Sequence, residues 1–130
     1  MVACKYGGGN YWETYAPVVN WMSIRTMLVL RSLHNLHAWS ADFVQAFSQP
    51  EIKVDIYLEI PLDMRSPENK GYVLKLLKNL YGLKDAGRTW WEYLQQGLEN
   101  RGFQPSKVDP SVYLQNDCIC LTFVDDFLIF

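Results

Sequence analysis

The stretch Leu121-Thr-Phe-Val-Asp-Asp-Phe-Leu-Ile-Phe130 places two adjacent carboxylates, Asp125 and Asp126, inside an otherwise almost wholly apolar run. Burying a charge without a partner costs several kcal/mol, so such a pair implies either a cation or a turn at the surface. The cations that suit bare carboxylates are hard ones, Mg²⁺ or Mn²⁺. Successive side chains of a strand point to opposite faces, so both aspartates cannot address one site from a straight strand. A tight turn at the pair removes the conflict, with Phe127 to Phe130 returning as a strand beside Cys118 to Val124.

Working outward, a strand at Ser111 to Gln115 and the turn pair Asn116-Asp117 precede this hairpin. A further strand is predicted at Trp39 to Val44, with Trp39, Ala41 and Phe43 on one face and Ser40, Asp42 and Val44 on the other. If this strand neighbours the hairpin, Asp42, Asp125 and Asp126 meet at one sheet edge. Such a cluster repels itself unless divalent cations neutralise it, and two cations in such a cluster form a phosphoryl-transfer site. Acids at strand ends also serve as turn or cap residues, and spacing alone leaves both readings open.

The remaining elements follow from periodicity. Asn20 is a plausible N-cap for a helix to about Leu36, with Ile24, Met27, Leu28, Leu33 and Leu36 as its apolar stripe. Val54 to Ile60 alternates strictly and stops at Pro61, and a strand is expected at Tyr72 to Leu76. Asp85 can cap a helix running to about Arg101, with Trp90, Leu94 and Leu98 on one stripe and Gly102 just past the end. Trp90, Trp91 and Tyr93 read as helix packing. The order describes an α+β fold with a largely antiparallel sheet, helices packed on one face, and a hairpin at the C-terminus.

Composition bounds the rest. The 130 residues suffice for one domain, and no apolar run is long enough to span a bilayer, so no membrane is expected. The N-terminus lacks the apolar segment of a secretory signal, which predicts an intracellular protein. Cys4, Cys118 and Cys120 are an odd number for a disulfide framework and read as reduced, packed thiols. The net charge of −2 argues against a free-standing nucleic-acid binder. Between Arg65 and Arg88, however, six basic residues face Glu68 and Asp85, a local net of +4. That stretch is a solvated face or a phosphate site.

The segment from Tyr11 to Phe130 resembles the reverse transcriptase domain of Ty1/copia-type LTR retrotransposons. Six blocks in the family's order carry the resemblance. They are Tyr11-Trp-Glu-Thr-Tyr-Ala-Pro-Val-Val19 with Ser23-Ile-Arg25, Asp42-Phe-Val-Gln-Ala-Phe47, Asp55-Ile-Tyr57, Leu80-Tyr-Gly-Leu-Lys84, Asp109-Pro110 with Tyr113, and Phe123-Val-Asp-Asp126. The resemblance implies a fingers and palm fragment with a catalytic β-hairpin, acting as an RNA-directed DNA polymerase. It implies that Asp42 and Asp125 bind two Mg²⁺ ions (Mn²⁺ being an alternative), with Asp126 supporting the site. Phe47 matches an aromatic steric gate against the 2′-hydroxyl. Ala46, Tyr81, Gly82, Lys84 and Arg25 match positions near the nucleotide. The implied partners are an RNA or DNA template–primer, deoxynucleoside triphosphates and further polyprotein segments.

The chain departs from the pattern at Asn20, where a basic residue is usual, and at Ala86-Gly87, where Ala-Pro is usual. Residues 1–10 are Gly-rich and read as a loose leader, the remnant of a preceding fingers segment; residues 11–130 read as a partial reverse transcriptase domain. With thumb and RNase H expected beyond Phe130, the chain is expected to be a fragment with weak or no polymerase activity alone. The alternative is an inactive transposon remnant acting at most as a nucleic-acid or protein binding module.

Overall fold

Which residues fold around the Asp125-Asp126 hairpin is shown by a computed structural model that describes residues 4–6 and 15–130. Residues 11–14 of the aromatic segment and the rest of the 1–10 leader lie outside the described residues. In chain order the elements are β1 (Cys4–Tyr6), α1 (Trp21–His34), β2 (Trp39–Asp42), β3 (Ile56–Glu59), β4 (Val73–Lys75), α2 (Ala86–Glu99), β5 (Gln104–Pro105), β6 (Val112–Gln115), β7 (Cys118–Phe123) and β8 (Asp126–Ile129). Among the described residues no helix is long and apolar enough to cross a membrane.

The strands form a five-stranded sheet in the order β2-β8-β7-β6-β5 and a three-stranded sheet in the order β1-β3-β4. Every strand pair is antiparallel. Asn116 turns β6 into β7 at φ 45°, a left-handed conformation that asparagine tolerates. Cys4–Tyr6 falls inside the stretch expected as a loose leader but pairs with Ile56 to Leu58 as β1. A three-residue strand beside a glycine run carries too little pattern to be read from sequence.

The helices do not share a face, contrary to expectation. Met27 of α1 packs with Val19 and Leu121, backed by Ile119, Leu128 and Phe130. Trp90 and Leu94 of α2 pack with Ala46, Tyr113, Cys120 and Phe127 on the other side of the same strands. The cause lies in the sequence. Cys118 to Thr122 and Phe127 to Phe130 are mostly apolar at odd and even positions alike, so both faces of the central strands need covering.

The helix termini follow local chemistry, with one correction. The Asn20 side chain accepts the Met22 N–H at 2.8 Å and caps α1. Gly102, at φ 91°, ends α2 while the Phe103 N–H returns to the Leu98 carbonyl at 3.1 Å. Asp85 precedes α2, but its side chain makes no capping hydrogen bond. Its backbone carbonyl instead accepts from the Thr89 N–H and hydroxyl, both at 2.9 Å. Cys118 and Cys120 are free, and burial pushes the Cys120 thiol up to about 12, so it packs as a hydrophobe.

Asp109 joins α1 to the sheet. It is only 6% exposed, and its carboxylate accepts from the Asn20 N–H at 2.9 Å, the Ser23 hydroxyl at 2.6 Å and the Ser111 N–H at 3.0 Å. A negative charge at the start of α1 is also favoured by the helix dipole. Burial raises the pKa of this group, but the hydrogen bonds from Ser23, Asn20 and Ser111 outweigh it and hold it below the ordinary value. Its stabilisation is therefore full above the unfolded value of about 3.9 and is lost as pH falls through the lower folded value. Asp109→Asn should lower the unfolding free energy by about 1.5–3 kcal/mol at pH 7, read by urea denaturation. The gap from wild type should narrow in acid; a gap constant from pH 7 down to pH 3 would refute the assignment.

Candidate active site

β2 and β8 pair with Trp39 opposite Ile129, Ser40 opposite Leu128, Ala41 opposite Phe127 and Asp42 opposite Asp126. This register brings the acid at the end of β2 beside the first residue of β8. Directly opposed residues have Cβ atoms about 4.5–5.5 Å apart, and like charges in such a pair are unfavourable. By alternation Asp42 and Asp126 share the face of Leu128, on which α1 packs.

The turn lies one residue earlier than expected. Phe123 pairs with Asp126, so Val124 and Asp125 form the two-residue loop and Asp126 already belongs to β8. Val124 takes φ 58°, a conformation that glycine or asparagine adopts readily and a β-branched side chain does not. Two hydrogen bonds from distant elements hold this loop. The Phe43 N–H donates to the Asp125 carbonyl at 2.9 Å, and the Trp90 indole N–H donates to the Val124 carbonyl at 2.6 Å.

Among the described residues, no salt bridge neutralises Asp42, Asp125 or Asp126. Nor do three or more acidic, histidine or cysteine side chains form a ready-made metal cage there. The donor set still fits one kind of ion. Opposed, unneutralised carboxylate oxygens suit a hard divalent cation such as Mg²⁺ or Mn²⁺.

The residues matched to a nucleotide site divide. Phe47 follows β2 in the 3₁₀ turn Ala46–Ser48, and its ring lies 4.6 Å from the Tyr81 ring at 59°. Ala46 is fully buried in the α2-side core, and Tyr81, 62% exposed, lies in the loop between β4 and α2. Gly82 has φ 92°, and a Cβ there would meet no atom within 4 Å. Backbone conformation, not close packing within the chain, accounts for that glycine. Arg25 is exposed on α1, on the opposite side of the sheet from Ala46, so the structure does not bring it to Phe47 and Tyr81.

The basic stretch is largely engaged within the protein. Arg65 pairs with Glu59, Lys75 with Asp55, and Lys78 donates to the Gln49 carbonyl. Arg88 pairs with Glu92, which also takes Lys53, and lies over the Trp91 ring with its guanidinium carbon 5.5 Å from the centroid. Lys84 has an interaction partner as well. Five of the six basic residues, Arg65, Lys75, Lys78, Lys84 and Arg88, thus have interaction partners within the protein. Sequence reasoning missed Trp90 as an indole donor to a backbone carbonyl and Asp109 as a carboxylate tie. The family block at Asp109-Pro110 was the one signal for the second.

The reverse transcriptase (RNA-dependent DNA polymerase) family model matches residues 4–130. The chain is 35% identical over 127 residues to the Retrovirus-related Pol polyprotein from transposon TNT 1-94 of Nicotiana tabacum, covering 94% of this chain and 10% of that protein. It is 34% identical over 126 residues to the Pol polyprotein from transposon RE1 of Arabidopsis thaliana, covering 94% and 9%. Against the Transposon Ty1-ER2 Gag-Pol polyprotein of Saccharomyces cerevisiae it is 26% identical over 124 residues, covering 91% and 7%. The chain spans about a tenth of the length of the two plant relatives it matches. No solved structure matches. With the family blocks, the acidic hairpin and near-complete coverage in agreement, the chain belongs to the reverse transcriptase family of copia-type transposon Pol polyproteins.

Proposed function

We propose that this chain carries the nucleotidyl-transfer centre of an RNA-directed DNA polymerase, within residues 11–130. The observation that supports the reading most is the Asp42–Asp126 register, with Asp125 on the adjoining turn and, among the described residues, no salt bridge to any of the three. Asp42 and Asp125 hold the divalent ions and Asp126 supports them. Divalent ions held by these carboxylates would supply Lewis acidity toward the primer 3′-hydroxyl and positive charge to offset that of the triphosphate. The protein's own contribution is position: the three carboxylates fix where the attacking oxygen and the α-phosphate come into line. Template–primer and deoxynucleoside triphosphates are the substrates, and other segments of a polyprotein share the grip on the duplex.

Phe47 supports sugar selection. Ala46 anchors its turn in the core and Tyr81 packs against its ring, so its position is braced from two sides. A braced ring can exclude a 2′-hydroxyl by bulk alone. A second reading, an inactive remnant that binds nucleic acid or protein at most, is favoured by the absence of a ready-made metal cage among the described residues.

Metal response separates the two readings. At a tenfold excess over Kd, a bound ion adds about 1.4 kcal/mol, a rise in Tm of about 4–6 °C for a chain of this size. That rise is expected with Mn²⁺ for wild type and not for Asp42→Asn. In chelator the order should invert, since the substitution removes one of two opposed like charges and raises Tm slightly. Equal responses in both proteins would leave the remnant reading standing. In an active polymerase carrying this segment, Phe47→Ala should reduce discrimination against ribonucleotides by about tenfold or more in primer extension. Unchanged discrimination would remove the gate assignment.

A further inference from the structure

The backbone on both sides of Asp125 is held from outside the hairpin. The Val124 carbonyl and the Asp125 N–H belong to one peptide plane, and the Asp125 carbonyl and the Asp126 N–H belong to the next. The first plane receives the Trp90 indole N–H at 2.6 Å, and the second receives the Phe43 N–H at 2.9 Å. With both planes fixed, φ and ψ of Asp125 are fixed, and so is the direction of its Cα–Cβ bond. We propose that Trp90 is a positioning residue of the metal site, acting through the backbone to aim the carboxylate of Asp125.

Three observations carry this beyond packing. Trp90 is 2% exposed, so its N–H has no water to turn to, and a buried indole without an acceptor is costly. Its acceptor is the carbonyl of the residue with the strained φ of 58°, and such conformations persist only where surrounding contacts over-determine them. The two arms of the clamp also touch. The Phe43 ring meets Trp90 edge-on at 5.2 Å and lies 4.8 Å from Phe127, so a displaced indole displaces the second donor. Trp90 belongs to the α2-side core, whereas Asp42 and Asp126 share the α1 face, so it orients the turn without occupying the ion's position. The same α2 follows directly on the loop of Tyr81 and Gly82, so the helix that steadies the acids is continuous with the expected nucleotide-side loop.

The inference rests on the proposed metal site, and the test separates the two. The informative substitution is Trp90→3-benzothienylalanine, which keeps the ring shape and replaces the N–H by sulfur. In ¹⁵N-labelled wild type, the Trp90 indole proton should exchange at least about tenfold more slowly than those of Trp21 and Trp39, which are 67% and 72% exposed. In the analogue, the amides of Asp125 and Asp126 should exchange about fivefold faster, as loss of one net hydrogen bond predicts, while those of Leu121 and Leu128 keep their rates. The Mn²⁺ Kd read by electron paramagnetic resonance should rise by about the same factor. Leu94→Ala, which removes core volume from the same helix, should lower Tm and leave that Kd unchanged. Unaltered Asp125 and Asp126 amides in the analogue would overturn the proposal, as would equal losses of Mn²⁺ affinity in the analogue and in Leu94→Ala. If wild type binds no Mn²⁺ through Asp125, the metal reading fails by itself, and the exchange data alone decide the role of Trp90.

Discussion

The pairing of β2 with β8 is the constraint on which the rest of the molecule depends. It joins residues from opposite halves of the chain, so forming it costs loop-closure entropy that local contacts do not repay. The repayment comes from the two faces of the ladder. Phe127 of β8 packs on the α2 side with Trp90, Leu94 and Cys120, while β2 stays exposed along its length. Leu128 and Phe130 close the α1 side with Met27 and Leu121. The one unfavourable step is the last, where Asp42 stands opposite Asp126. β8, anchored by apolar residues on both of its faces, thus sets Asp126 opposite Asp42 of the exposed strand β2. A divalent cation, as proposed for this site, would relieve the repulsion between the two carboxylates.

The two hairpins of the central sheet show where local chemistry was set aside. Both have two-residue loops, Asn116-Asp117 between β6 and β7 and Val124-Asp125 between β7 and β8. In the first, the residue at positive φ is asparagine, which accommodates it. In the second it is valine, which does not. A sequence obeying turn preferences would place asparagine or glycine in both. Local rules are most often broken where function needs a particular backbone, and here the break falls beside Asp125.

How far the sequence disclosed this structure depended on the range of the interactions involved. α1 from its Asn20 cap, α2 from its Trp90–Leu94–Leu98 stripe, and the hairpin at Asn116-Asp117 were legible, because their determinants lie within a few residues. β1 and β5 were not, being two or three residues long and defined by their partners. The opposite placement of the helices was encoded in the uninterrupted apolar runs of β7 and β8, which an alternation test passes over. The approach of Asp42 to the acidic hairpin was legible, but the turn was misplaced by a residue, since Val124 gives no turn signal. Trp90 could be read only as packing. A tryptophan on an apolar stripe looks the same whether or not its N–H meets a carbonyl across the fold.

Charge is distributed to the same end. Asp55, Glu59, Glu92 and Asp109 each hold a basic side chain or a set of N–H donors, and these ties fasten the three-stranded sheet, α2 and α1 in place. Exposed pairs of this kind add little stability, but each one leaves less positive charge to converge elsewhere. Asp42, Asp125 and Asp126 receive no such partner among the described residues. The edge where β2 meets the β7–β8 turn is therefore left as an uncompensated negative patch, held rigid from beneath by Trp90 and from the side by Phe43. Rigidity and repulsion work together there. A flexible cluster would relax by turning its carboxylates apart, whereas a clamped Asp125 would keep them together for the cation proposed here.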